Sequence, residues 1–157
     1  MNILNSFKKF FFKIDDLVFN SFLRKKYNFI KYNMKLFFVI FFKEKKIYSK
    51  DHGLKKKLII SLTSYPGRFR TLPLVLDSIQ KQSIKADKII LWIEKIDKKK
   101  LPSSVLNFKG INIRYCGNNL LSYKKIIPTL KLFKNHFIIT LDDDVIYSDE
   151  SIEKLVN

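Results

Sequence analysis

Four short, β-rich apolar runs punctuate the last hundred residues of this chain: Leu58–Leu62 (LIISL), Lys88–Ile93 (KIILWI), Ile111–Tyr115 (INIRY) and Phe137–Leu141 (FIITL). Runs of this length and composition read as buried strands rather than helices. The segments between them carry a different period. After Thr63–Arg68, where Pro66-Gly67 fits a tight turn, Leu72, Val75, Leu76 and Ile79 recur at helical spacing up to Gln82. Leu121–Phe133 predicts a second helix broken or bent near Pro128, and Ser148 is placed to cap a last helix from Asp149. Strands and helices alternating in this way imply an α/β fold with a mostly parallel sheet. Trp92, in the body of a strand, belongs to the core, and Cys116 reads as a small buried residue.

In parallel sheets, ligands bind in the crevice outside the C-terminal strand ends. That rule selects Thr63–Arg68, Glu94, Cys116–Asn119 and Asp142–Asp144 and expects them along one sheet edge. The last of these poses the sharpest question, because FIITLDDDV sets three adjacent carboxylates at the end of an apolar run. Two readings fit. Asp142 and Asp144, alternating to the same side of an extended strand, can clamp Mg²⁺ or Mn²⁺ with hard oxygen ligands. The same residues can also be a solvated acidic turn that caps the next helix. A phosphatase-type D-x-D is disfavoured, because such motifs sit on a first strand and this triplet follows a fourth.

The remainder of the chain has another character. Residues 1–57 hold 15 Lys and Arg against 4 Asp and Glu, together with 11 of the 15 phenylalanines, in a chain of net charge +17. Phe7, Phe10, Phe11, Ile14, Leu17, Val18 and Phe22 follow helical spacing among lysines, and a second apolar run lies between Lys35 and Lys43. That run falls well short of the ~20 residues needed to cross a bilayer, and no small-residue cleavage site follows it. The expectation is a basic, aromatic helical leader over residues 1–56, followed by an α/β domain over 57–157. The leader is either an interfacial anchor on an anionic membrane surface or a helical hairpin packed on the main domain. Charge alone would admit a nucleic acid, but no binding motif supports one. One cysteine excludes an internal disulfide and fits a reducing, cytoplasmic setting.

Four blocks in order, ISLTSYPGR (Ile60–Arg68), DKIILWIE (Asp87–Glu94), SYKKIIPTL (Ser122–Leu130) and IITLDDDVIY (Ile138–Tyr147), carry a resemblance. Over about residues 57–157 the chain resembles the N-terminal half of family-2-like bacterial glycosyltransferases of the GT-A fold, found in surface polysaccharide and lipooligosaccharide assembly. The resemblance implies an incomplete GT-A, Rossmann-like fold that binds a nucleotide-diphosphate sugar and transfers the sugar to a glycan or lipid-linked acceptor. It places Asp142 at the ribose or the metal and Asp144 on Mn²⁺ or Mg²⁺. Thr63, Ser64 and Tyr65 line the nucleotide pocket, Glu94 meets the base, and the cations Arg68, Lys124 and Lys125 are placed to meet the diphosphate. Each also has a plainer reading: Glu94 as a surface carboxylate near Lys95, and the cations as solvated charges. His52 and His136 receive no catalytic role. In the family an acceptor half with a general base follows D-x-D, whereas this sequence stops thirteen residues after Asp144. The resemblance therefore implies either a complementing C-terminal polypeptide or a chain that binds nucleotide without turning it over.

Overall fold

A computed structural model describes Tyr27, Ile30 and residues 50–117 and 120–157. The chain divides into two compact units, Met1–Glu44 and Lys45–Asn157. In the first, Tyr27 and Ile30 are helical. The anchor or hairpin expected there lies outside the described residues, as do Asn118 and Asn119. Among the described residues, no helix is long and apolar enough to cross a membrane.

The second unit is an α/β domain on a four-stranded sheet. Its strands are β1 (Leu58–Thr63), β2 (Lys88–Glu94), β3 (Asn112–Cys116) and β4 (Phe137–Leu141), in the order β3-β2-β1-β4. Every pairing is parallel, with Ile60 opposite Ile89 on one side and Ile139 on the other. The pleat sorts β1 into two cores. Leu58, Ile60 and Leu62 join Leu91, Ile93 and Leu141 under helix α1 (Leu72–Gln80), which contributes Leu72, Val75, Leu76 and Ile79. Ile59 faces the opposite way with Ile90, Trp92, Cys116 and Phe133. Helices therefore cover both faces, as a parallel sheet requires.

The connections depart from the expected ones at three places. Residues 95–100 form a 3-10 turn with Lys100 paired to Asp97 at 2.9 Å, followed by a short helix α2 (Ser103–Leu106), where the sequence suggests only a lysine-rich loop. The single helix expected over Leu121–Phe133 is a 3-10 turn, Leu121–Lys125, and then α3 (Ile127–Leu132). The break falls at Ile126, close to Pro128 as expected, although the first piece is a 3-10 turn rather than an α-helix. A proline is tolerated in the first turn of a helix, where its missing N–H has no partner to lose, so α3 starts just before it.

The third departure is at the C-terminal end of the described unit, where the helix is α4 (Glu153–Val156) and does not begin at Asp149. A helix capped by Ser148 would bond Ile152 N–H to Ser148 C=O as its first rung. The buried Gln82 amide occupies that rung. Its Nε2 donates to Ser148 C=O at 2.7 Å, and its Oε1 accepts from Ile152 N–H at 2.9 Å. The Gln82 side chain also donates from Nε2 to Ser78 C=O at 3.0 Å, the acceptor that its own N–H would take in a longer helix, and α1 ends at Gln80 rather than Gln82.

Residues 50–54, which the sequence reading assigns to the leader, are fastened to this unit. Lys50 bridges to Ile84, and Asp87 Oδ2 accepts from Leu58 N–H at 2.7 Å and meets His52 Nε2 at 3.0 Å. Leu54 N–H donates to His52 Nδ1 at 3.0 Å, so in the neutral ring the proton sits on Nε2 and is donated to Asp87. The Leu58 amide, helped by His52, holds the Asp87 carboxyl below its ordinary value against an opposing desolvation. A carboxylate with a depressed folded pKa stabilises the fold above its unfolded pKa of about 3.9, and that contribution is lost as pH falls through the folded value. Asp87→Asn is therefore expected to cost about 1 kcal/mol at pH 7, the low end for a partly exposed charged hydrogen bond. In urea melts at pH 7 and pH 3 the gap between wild type and variant narrows at the lower pH; a gap of the same size at both would contradict this role for Asp87.

Candidate functional site

Because all four strands run the same way, their C-terminal ends lie along one edge, and the chain leaves β1 and β4 from adjacent positions there. From β1 it proceeds to β2 and β3 on one side, and β4 then pairs with the other side of β1. The β1/β4 boundary is the point where strand order reverses, and open α/β sheets place their ligand crevices at such points.

The β1 loop is built for a close turn. Thr63 Oγ1 donates to Trp92 C=O at 2.8 Å, and Ser64 N–H reaches the same carbonyl at 3.4 Å, closing the end of β1 onto β2. Pro66–Arg68 then forms a 3-10 turn with Arg68 N–H on Tyr65 C=O at 2.9 Å. A side chain at Gly67 would begin 2.7 Å from the Tyr65 ring, so glycine is what lets that ring lie across the turn. Tyr65 OH in turn accepts from Arg68 Nε at 3.3 Å. Ser64 is buried, and its Oγ has no hydrogen-bond partner among the protein groups.

Arg68 reaches across to the triplet. Its Nη1 contacts Asp144 Oδ2 directly and lies 3.7 Å from Asp143 Oδ1. The Asp144 bond, then the Tyr65 hydroxyl, raise the guanidinium pKa further above its already high value, and Arg68 holds the Asp144 carboxyl below its usual range. Lys125 Nζ meets Asp142 Oδ1 at 2.5 Å. Tyr147 OH accepts from Asp142 N–H at 2.7 Å and faces Asp142 C=O at 3.3 Å. Burial pushes the Tyr147 phenol up, so it remains the neutral donor that this pairing needs. Asp143 Oδ2 is buried and has no hydrogen-bond partner among the described residues.

This geometry corrects one expectation and removes another. Strand pairing stops at Leu141, and Asp142–Asp144 enter a turn, so strand alternation does not set their directions. The cations do: Asp142 goes to Lys125, and Asp143 and Asp144 go to Arg68. The triplet also does not cap the following helix, because α4 begins at Glu153, with Ile152 as its N-cap and no side-chain capping bond. Among the described residues, no three His, Cys, Asp or Glu side chains form a ready ligand cage.

Glu94 stands at the end of β2, where the sequence puts it, but its partner is Lys124 rather than Lys95. Lys124 Nζ lies 3.2 Å from Glu94 Oε2 with its side chain only 8% exposed, so this ammonium is not a solvated charge. Removing one member of so enclosed a pair leaves the other charge without a partner. Cys116 is buried as expected at the end of β3, and desolvation holds its thiol above its ordinary pKa, an inert rather than nucleophilic state.

A buried polar cluster sets where both lysines stand. Ser61 Oγ donates to Lys125 C=O at 2.6 Å and lies 2.8 Å from Thr129 Oγ1, which also reaches Lys125 C=O at 3.0 Å. Trp92 Nε1 donates to Thr129 Oγ1 at 2.8 Å. Strands β1 and β2 are thus tied to the 121–132 segment, and Lys124 and Lys125 are delivered to Glu94 and Asp142. Sequence reasoning passed over Ser61 and Thr129. The signal was a serine inside an otherwise apolar strand, which on burial must find a partner. No protein-family model, no curated protein and no solved structure matches this chain.

Thr129→Val keeps the shape and deletes the hydroxyl, leaving the Trp92 indole N–H unpaired. It should cost about 1–3 kcal/mol and shift the emission of Trp92, the only tryptophan in the chain, whereas Thr129→Ser should retain most of the stability. Chemical unfolding followed by fluorescence checks this; a Val variant as stable as wild type would show that the cluster does not hold the segment.

Proposed function

We propose that residues 57–157 form the donor-binding part of a GT-A-type glycosyltransferase, which holds a nucleotide-diphosphate sugar on a divalent cation at the β1/β4 crevice. The observation that carries this reading is the alignment of three charged stations along one sheet edge: Arg68 with Asp143 and Asp144, Lys125 with Asp142, and Lys124 with Glu94. A nucleoside diphosphate carries its charge at one end and hydrogen-bonding edges at the other, so it needs an electrostatic station and a polar one some distance apart.

The donor set suits the cation. Asp142, Asp143 and Asp144 offer only carboxylate oxygens, the hard ligands that Mg²⁺ and Mn²⁺ select, and the buried Asp143 Oδ2 is an acceptor still lacking a partner. Asp142 and Asp144 are the exposed members, at 64% and 50%, and are the two that would hold the metal. A divalent cation held by these carboxylates would supply positive charge to offset that of the departing diphosphate. The remaining work belongs to this chain. Arg68 and Lys125 are within reach of the triplet and supply positive charge for phosphate oxygens. Glu94, oriented by Lys124, presents an acceptor at the end of β2 for the donor groups of a base. The Thr63 hydroxyl is committed to Trp92 and the Ser64 hydroxyl is buried, so of the first-loop residues the exposed Tyr65 is the one that presents a side chain to a nucleotide. The acceptor is a glycan or lipid-linked sugar, and anchoring at a membrane surface through the basic leader would bring the site to such a substrate.

The test is a calorimetric titration of UDP and GDP in Mn²⁺ and in chelator. Binding should require Mn²⁺ and weaken at least about tenfold in Asp144→Ala, the loss associated with removing a metal contact or its support. Equal binding by wild type and variant would rule out a metal held by the triplet.

A further inference from the structure

Three adjacent carboxylates should repel one another, yet nothing in the turn spreads them far apart in sequence. Two cations from distant segments meet them instead, Arg68 at Asp143 and Asp144 and Lys125 at Asp142. Each cation is attached in an uneven way. The Arg68 backbone is fixed by its turn hydrogen bond to Tyr65 C=O, its Nε is tethered to Tyr65 OH, and its guanidinium lies 5.8 Å from the centre of that ring. Only Nη1 is committed to the triplet. Lys125 is pinned through its carbonyl by Ser61 and Thr129, and only its ammonium end touches Asp142. Both can release a carboxylate without leaving the crevice.

We propose that Arg68 and Lys125 are exchangeable counter-cations that make binding of a divalent cation at the triplet conditional on a nucleoside diphosphate. The inference rests on the reading of the site given above. A divalent cation entering alone must either displace a guanidinium and an ammonium from their carboxylates or lie against two like charges, and both are unfavourable. A diphosphate changes the exchange. Its anionic oxygens accept the guanidinium in a bidentate pair and the ammonium as a point charge, so each displaced cation regains a partner as the metal takes the carboxylates. No net pairing is lost. Such coupling is reciprocal: the metal raises affinity for the diphosphate by the factor with which the diphosphate raises affinity for the metal.

The exchange predicts effects of opposite sign from one substitution, which a simple phosphate-binding arginine would not give. In wild type, Mn²⁺ affinity measured by electron paramagnetic resonance should rise at least about fivefold on saturation with UDP or GDP, the lower bound of typical coupling. Arg68→Gln should bind Mn²⁺ alone several-fold more tightly than wild type, bind UDP and GDP more weakly, and lose most of the coupling. Arg68→Lys, which keeps the charge but not the bidentate fork, should retain part of the coupling and more of it than Arg68→Gln. Lys125→Gln reads the same exchange from a different segment and should shift both affinities in the same directions. Arg68→Gln and Lys125→Gln variants with unchanged or weaker affinity for Mn²⁺ alone, and with coupling intact, would overturn the exchange while leaving the metal–diphosphate reading standing. Absence of Mn²⁺-dependent binding of either nucleotide by wild type would overturn both.

Discussion

The parallel pairing of β1 with both of its neighbours is the constraint from which the rest of the structure follows. Leu58–Leu62 is buried along its whole length, so its two faces must be covered by separate layers. Parallel partners on both sides then require crossovers, which is why helical segments separate the apolar runs in sequence. The same requirement puts every strand's C-terminal end on one edge. The loop after β1 and the turn after β4 become neighbours there, although 75 residues of chain separate Arg68 from Asp144. The acidic triplet and its cations are thus a consequence of strand direction and order rather than of local sequence.

Within that frame, polar groups do the positioning. Ser61, Thr129 and the Trp92 indole form a satisfied cluster between the sheet and the 121–132 segment, and burial makes each bond costly to break. Gln82 plays the corresponding part on the other face, gripping Ser148 C=O and Ile152 N–H and so holding the chain that leaves the triplet. Ser78 Oγ, which accepts from Tyr147 N–H at 3.1 Å, adds a second grip. The result is a charged turn whose backbone is fixed on both sides while its carboxylate ends remain in contact with Arg68 and Lys125.

How much of this could be read from the sequence depended on the range of the interaction. The strands were legible because LIISL, KIILWI and FIITL are apolar over nearly every position, and their one-way order followed from the helical spacing of Leu72, Val75, Leu76 and Ile79 between them. The convergence of Arg68 and Asp142–Asp144 was legible from topology. The ion pairs were not, since which of many lysines meets Glu94 is set by the exact point at which a segment crosses the sheet. Lys124 rather than Lys95 wins because Thr129 and Ser61 fix that crossing. The last helix was misplaced for a related reason: Ser148 and Asp149 satisfy the local capping rule, and only a glutamine 66 residues upstream in sequence overrides it. The interruption near Pro128 was legible, and the proline takes its place in the first turn of the helix that follows the break.

The central claim is that the carboxyl edge of β1, β2 and β4 is where a divalent cation and a nucleoside diphosphate meet. Paramagnetic broadening of amide resonances by substoichiometric Mn²⁺, recorded with UDP or GDP present, tests it without reference to catalysis. The account predicts broadening concentrated at Asp142–Asp144 and extending to Tyr65–Arg68 and Lys125, with the opposite edge around Asp87 and His136 left sharp. Broadening centred elsewhere, or spread evenly over the acidic residues of the surface, would contradict it.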